Sequence, residues 1–234
     1  DEISRKDIRI GDTVLIQRAG DVIPEVVKII IENRPKKTNP YILPNECPVC
    51  NHIVYRADNE AVARCQNMEC AAQIKGRITH FVSRNCLDID GFGIKLVDQL
   101  VNADLIQNVA DIFSLTIDQL IQLERMAEKS AQNIIDAIEN SKLTTMSRFI
   151  HGLGIRNVGE HASKVLEKEL DGSLERLMNA DFETLTQIHE IGIIMADSII
   201  NFFQDISNRK IVQTCWDSGI QFALVEKNQH SHLT

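Results

Sequence analysis

From about residue 74 to residue 226 apolar residues recur at three- and four-residue spacings, as in "LVDQLV", "SAQNIIDAIEN" and "MADSIINFF". This is the period of helices with one buried face. Residues 8–31, "IRIGDTVLIQRAGDVIPEVVKIII", instead alternate loosely and are rich in Val and Ile. They predict two or three short strands, with turns at Gly11-Asp12 and Gly20-Asp21. Pro24 inside that run predicts an edge strand or a bulge. The strand segment is too small for a domain and reads as the completion of a barrel begun upstream. Three prolines in "NRPKKTNPYILPNE", residues 33–46, mark a linker. The polar tail "QHSHLT" reads as disordered.

The helical stretch repeats. The turns "IDGFG" (89–93), "LERMA" (123–127), "IRNVG" (155–159) and "IHEIG" (188–192) start 34, 32 and 33 residues apart. Each follows a short apolar segment and precedes a longer amphipathic one, which predicts paired helix–turn–helix units. In the first turn Ile89 and Phe92 can pin the loop to the core, while Gly91 and Gly93 permit positive φ or close backbone approach. A glycine just before a helix exposes unpaired N–H groups at the positive end of the helix dipole. Such a turn can cradle a phosphate without a basic side chain, and the contact carries no sequence information. Lys95, Arg125, Lys129 and Arg156 lie near the turns and suit phosphate contact, although each alone also suits a solvated surface.

Between strands and helices lies a cysteine cluster. Cys47-Pro-Val-Cys50 is followed by 14 residues and then Cys65-Gln-Asn-Met-Glu-Cys70. Two such pairs can present four thiolates tetrahedrally to zinc, with "NHIVYRADNEAVAR" as the hairpin that brings them together. Four thiolates leave no open coordination position, so the expected role is structural. His52 is expected to stand by, and Cys86 and Cys215, in helical pattern, to be buried apolar positions.

Composition bears on the partner. The 234 residues carry net charge −8, with residues 84–140 alone holding four Lys/Arg against ten Asp/Glu. Binding to nucleic acid through a basic face alone is excluded by that balance. Backbone donors at the turns are not. No apolar run approaches the roughly 18 residues of a membrane helix, and the polar, acidic start is no signal peptide.

In order along the chain, "DIRIGDTVLIQRAGDVIPEVV", the four-cysteine site, "HFVSRNCLDIDGFG", "LERMAEKSAQN" and "LGIRNVGE" resemble the bacterial NAD-dependent DNA ligases. The resemblance runs from about residue 3 to 226. It implies a multidomain, mainly α chain: the end of an OB-fold domain (1–36), a linker (37–46), a four-cysteine zinc finger (47–74), a domain of four helix-hairpin-helix motifs (75–226), and the tail (227–234). It implies that Arg18, Val22 and Ile23 face DNA, and that Cys47, Cys50, Cys65 and Cys70 bind one structural zinc. The hairpin positions Gly91, Gly93, Ala127, Gly159 and Gly192 would meet the phosphate backbone. Ala127 departs from the usual glycine, and its methyl group is expected to hinder left-handed geometry and close approach at the second hairpin.

The family joins 3′-hydroxyl and 5′-phosphate ends in nicked duplex DNA, taking AMP from NAD on the lysine of a KxDG motif, with magnesium. No KxDG occurs here; "KELDG" at Lys168 has an extra residue. The expectation is therefore a bacterial cytoplasmic enzyme's DNA-clamping portion, which binds duplex or nicked DNA without sealing it, while NAD and magnesium bind elsewhere. The alternative is a non-catalytic helix-hairpin-helix module of a repair complex. A zinc-stapled helical protein-interaction domain is a third reading.

Overall fold

A computed structural model describes residues 2–20, 22–56, 62–67 and 69–223. The chain divides into two compact units, Asp1–Asn67 and Met68–Thr234. The expected tail, 227–234, lies outside the described residues.

The first unit opens with a short helix, α1 (Glu2–Arg5), and an antiparallel hairpin of β1 (Val14–Ala19) and β2 (Ile23–Ile29). Gly20 turns the hairpin at φ +57° and Gly11 precedes it at φ +94°, the two places where the sequence predicts turns. The bulge falls between Leu15 and Ile16 rather than at Pro24, which pairs opposite Arg18. In a two-stranded ribbon both strands are edges, so the missing N–H of Pro24 is tolerated.

Among the described residues of this unit Cys47 is the only buried apolar one. Charge pairs hold it where a core would be. Arg34 grips Asp12 with two hydrogen bonds, Nε to Oδ1 at 2.8 Å and a terminal nitrogen to Oδ2 at 2.9 Å. It also reaches the Asp7 carboxylate at 2.7 Å. The Arg9 backbone N–H donates to Asp12 Oδ2 at 2.8 Å. Lys6 Nζ ties α1 to β2 through the Val26 carbonyl at 2.6 Å.

The second unit is helical apart from one short strand pair. Its elements are α2 (Ala71–Phe81), α3 (Ile94–Asn102), a 3-10 turn (Val109–Ser114), α4 (Ile117–Leu120), α5 (Glu128–Ser141), α6 (Met146–Leu153), α7 (Glu160–Glu169), α8 (Leu174–Met178), α9 (Phe182–Gln187), α10 (Ile193–Gln204) and α11 (Ile206–Asp217). One continuous core runs through it, with Ile78, Phe81, Leu100, Ile138, Phe149 and Leu166 fully buried. Phe81 and Phe149 meet edge to face, 6.1 Å between centroids. Four helix pairs, α2/α3, α4/α5, α6/α7 and α9/α10, pack together and are joined by the four repeat turns.

The expectation of helix up to residue 226 fails at one place. Leu143–Thr144 pairs in parallel with Gln221–Phe222, these two short strands being β5 and β6. The Gln221 N–H donates to the Lys142 carbonyl and the Ala223 N–H to the Thr144 carbonyl, both at 2.8 Å. Two residues per strand leave no alternating pattern to read. Their partners are nearly 80 residues apart, so only the folded core brings them together.

Candidate nucleic-acid interface and metal centre

The four turns share one backbone course. The fourth residue's N–H returns to the first residue's carbonyl: Phe92 to Ile89 at 3.3 Å, Met126 to Leu123 at 3.3 Å, Val158 to Ile155 at 3.0 Å, Ile191 to Ile188 at 3.1 Å. The third residue is left-handed in every turn: Gly91 (φ +75°), Arg125 (+59°), Asn157 (+64°) and Glu190 (+73°). A non-glycine residue there costs roughly 1–2 kcal/mol. Ile89, Phe92, Ile155, Val158 and Ile191 are buried and pin three of the loops, while Leu123 and Met126 of the second are only partly buried.

The fifth residue behaves differently. Gly93, Ala127, Gly159 and Gly192 all have extended backbone, with φ between −79° and −87°, and each is the N-cap of the following helix. This corrects the expectation for Ala127: its position never needs left-handed geometry, which belongs two residues earlier. It also divides the duties of Gly91 and Gly93. Gly91 makes the turn, and its N–H is taken by Asp90 Oδ1 at 2.9 Å rather than offered outward. Gly93 is required neither by its φ nor by its neighbours, since a Cβ there would meet nothing within 4 Å. The same holds at Gly159 and Gly192. Three glycines thus stand where the chain itself would accept a side chain.

Capping sharpens the contrast. In the second unit the helical elements that do not follow a hairpin turn, α2 aside, are N-capped by a side chain: Asn108, Thr116, Thr145, Ser173, Asp181 and Asp205. The hairpin helices α3, α5, α7 and α10 have no side-chain cap. Their first N–H donors lack intrahelical partners by geometry, and the dipole adds positive potential there. An N-cap side chain contributes about 1 kcal/mol to a helix. Four helices forgo it at the same structural position, which leaves donors for an acceptor outside the chain. Lys95, Arg125, Lys129 and Arg156 are all exposed beside these ends.

The turns sit in mated pairs. A Cβ at Gly91 would stand 3.6 Å from Ile134 on α5, and Gln99 of α3 accepts from the Glu124 N–H of the second turn at 2.7 Å. Likewise Asn157 of the third turn donates to Ser198 of α10 at 3.0 Å, and His161 of α7 contacts the Glu190 carboxylate of the fourth turn. Each turn therefore lies against the second helix of its mate. Glu190 is held below the ordinary carboxylate range, first by its hydrogen bond to His161.

Sequence reasoning missed three residues beside the open helix ends. Ile94, Ile193 and Ile194 are 67%, 66% and 72% exposed. An apolar residue directly after the cap glycine, where Glu128 and Glu160 stand in the other two hairpins, was the available signal. In the first unit Arg18, Val22 and Ile23 are all exposed at the tip of the β1–β2 hairpin, Arg18 one pair inward from Ile23.

The four expected thiols do converge. One sulfur each from Cys47, Cys50, Cys65 and Cys70 lies within 4.8 Å of the others, with Cys50 and Cys65 at 3.5 Å. The local fold explains the approach. Asn51, at φ +55°, closes a tight turn in which its N–H returns to the Cys47 carbonyl, and the Cys47 N–H returns to His52 O. The short strands Val54–Tyr55 and Arg64–Cys65 pair antiparallel and bring Cys65 back, while residues 57–61 of the expected hairpin lie outside the described residues. Cys70 is the N-cap of α2 without a side-chain cap bond. Desolvation and the neighbouring thiols push Cys65 up to about 12 when no cation is present. A compact set of four soft donors fits a tetrahedral thiolate metal such as zinc, whose positive charge would favour the thiolate at Cys65.

The sequence profile described as the NAD-dependent DNA ligase OB-fold domain matches residues 1–38. The NAD-dependent DNA ligase C4 zinc finger domain matches residues 46–72. The chain belongs to the NAD-dependent DNA ligase family. A SAM-like helix-hairpin-helix tandem matches 83–140 and a helix-hairpin-helix motif 148–212, covering the two mated pairs of turns in succession. A DNA ligase of Lysinibacillus sphaericus (strain C3-41) is 46% identical over 227 residues, 97% of this chain. The match covers 34% of that relative, so the chain spans about a third of its length.

Proposed function

We propose that these residues are the DNA-gripping part of an enzyme that seals nicks between 3′-hydroxyl and 5′-phosphate ends, using NAD and magnesium. The observation that carries this reading is the set of four uncapped hairpin helices, three of them preceded by glycines that nothing inside the chain requires. The N–H groups at Gly93, Ala127, Gly159 and Gly192, and those just beyond, donate to phosphate oxygens of both strands. A missing Cβ lets the backbone come within hydrogen-bonding distance of a bulky anion. Ile94, Ile193 and Ile194 then rest on the apolar faces of the adjoining sugars. Arg18, Val22 and Ile23 face the duplex near the nick.

One zinc on Cys47, Cys50, Cys65 and Cys70 has a structural role, since four thiolates complete its shell. Because no KxDG string occurs in these 234 residues, they bind nicked duplex without taking AMP, and the NAD and magnesium determinants lie outside them. The setting is the bacterial cytoplasm, where reduced thiols persist.

Fluorescence anisotropy with a labelled nicked duplex, across a range of salt, tests the reading. Binding at low salt is expected, together with at least tenfold loss in Gly93→Asp and Gly159→Asp at unchanged helicity. Either substitution puts a carboxylate against a phosphate. Unaltered affinity in both variants would mean that the turns are only helix joints, and intact nicked duplex should bind more tightly than single strands.

A further inference from the structure

We propose that His80, Cys86 and His151 form a second metal site, distinct from the four cysteines, for a borderline divalent ion of the zinc class. His80 lies on the last turn of α2, Cys86 in the loop after it, and His151 on the last turn of α6. Cys86 was expected in helical pattern; it is fully buried as expected, but in a turn. One donor atom from each of the three lies within 4.8 Å of the others. Cys86 Sγ and His80 Nε2 are 3.7 Å apart. With metal–ligand bonds of about 2.0–2.3 Å, two donors of a tetrahedral site stand roughly 3.3–3.8 Å apart. One edge of the site is therefore already at its bound length.

Three further features point the same way. His151 Nδ1 is buried and is the one buried side-chain nitrogen or oxygen without a hydrogen-bond partner among the described residues. A buried imidazole nitrogen left unsatisfied is uncommon. Both rings stand edge to face with centroids 4.8 Å apart, and each histidine is half-buried. Gly152 supplies the close approach: a Cβ there would stand 3.0 Å from Phe81 Cδ2 and 3.3 Å from Cys86 Cβ.

The donor set of two imidazoles and one thiolate suits zinc or cobalt(II) and leaves a fourth position for water. Burial holds His151 toward its neutral form, and Glu160 and Lys164 act on it with opposite signs. Burial pushes the Cys86 thiol up, so the thiolate needs the ion's charge; Ser83 and Arg148, whose Nε donates to the Cys86 carbonyl at 2.7 Å, pull the other way. Without an ion, His80 Nε2 carries a proton donated to the His151 carbonyl at 2.8 Å; on loading, that proton passes to Nδ1 so that the neutral ring offers Nε2 to the ion, and the thiol proton is released to solvent. Cys86 lies three residues before the first hairpin turn and His151 four before the third. An ion at this place fastens the lead-in of one mated pair to the lead-in of the other.

The test uses the full chain, loaded with one equivalent of zinc and then titrated with cobalt(II). A thiolate-to-cobalt charge-transfer band, reaching one cobalt per chain with the zinc retained by elemental analysis, is expected. The band should vanish in Cys86→Ala and in His151→Gln, two variants that keep the zinc. His151→Gln changes a half-buried position, so it remains informative if Cys86→Ala folds poorly. Absence of the band in the unaltered chain, or its survival in both variants, would overturn the site.

Discussion

Ala127 holds the same backbone conformation as Gly93: φ −87°, ψ 157° against φ −79°, ψ 171°, each at the N-cap of its hairpin helix. The methyl group of Ala127 therefore strains nothing within the chain. Any effect of it falls on what lies outside. Glycine is a better N-cap than alanine, so Ala127→Gly should leave the melting temperature level or raise it slightly. It should tighten binding to nicked duplex about three- to tenfold, by letting a fourth backbone approach its phosphate. Gly93→Ala should weaken binding by about tenfold, roughly 1.4 kcal/mol, with little change in stability. Anisotropy titrations beside thermal melts check both. Equal affinity in the two variants would remove the phosphate-contact argument for these positions.

The turns were legible in the sequence because they are local. A run of five residues fixes its own hydrogen bond and its left-handed third position, and the 32- to 34-residue period repeats the pattern. The division of labour between Gly91 and Gly93 was not legible. Both glycines look alike in sequence, and only φ with the surrounding space shows that one makes the bend while the other clears the way outward. The four-cysteine set was legible because chemistry demands its spacing. The trio of His80, Cys86 and His151 was not, since its members are 71 residues apart at the extreme and meet only after α2 and α6 pack. The β5–β6 pair escaped for the same reason.

Zinc removal should act locally. The first unit has almost no apolar core, whereas the second has a continuous one. Structural zinc supplies about 10–16 kcal/mol of apparent binding energy in small finger segments. Chelation should expose residues 46–72 to protease while most of the helical circular dichroism persists. Loss of helicity in step with the metal would show that the helical core depends on the ion.

Gly152 gives a sharper test of packing. Its missing side chain lets α6 approach Phe81 and Cys86, with 3.0 Å and 3.3 Å available to a new carbon. Both neighbours are fully buried and cannot swing aside. Gly152→Ala should therefore cost roughly 1–3 kcal/mol, despite the better helix propensity of alanine. In a chain of this size that lowers the melting temperature by about 2–4 °C per kcal/mol. A variant as stable as the parent would mean that α6 can shift outward at no cost.

Acid should loosen the first unit through Asp12. Its side chain is 1% exposed, and the guanidinium of Arg34 holds its carboxyl below the usual carboxylate range. Asp7 is held down in the same way, first by Arg34 and then by Arg9. A group whose folded pKa is depressed contributes stability above its unfolded value of about 3.9, and the contribution fades as pH falls through the folded value. The loss should therefore begin near pH 4 and deepen below it, with no change between pH 6 and 8 from this source. Limited proteolysis or amide exchange of residues 1–38 across pH 7 to 3 reads it directly. Asp12→Asn should be looser than the parent at pH 7, because the ion pair is gone, and should change less on acidification. A parent chain equally protected at pH 7 and pH 3 would mean that the Arg34 contacts decorate the hairpin rather than hold it.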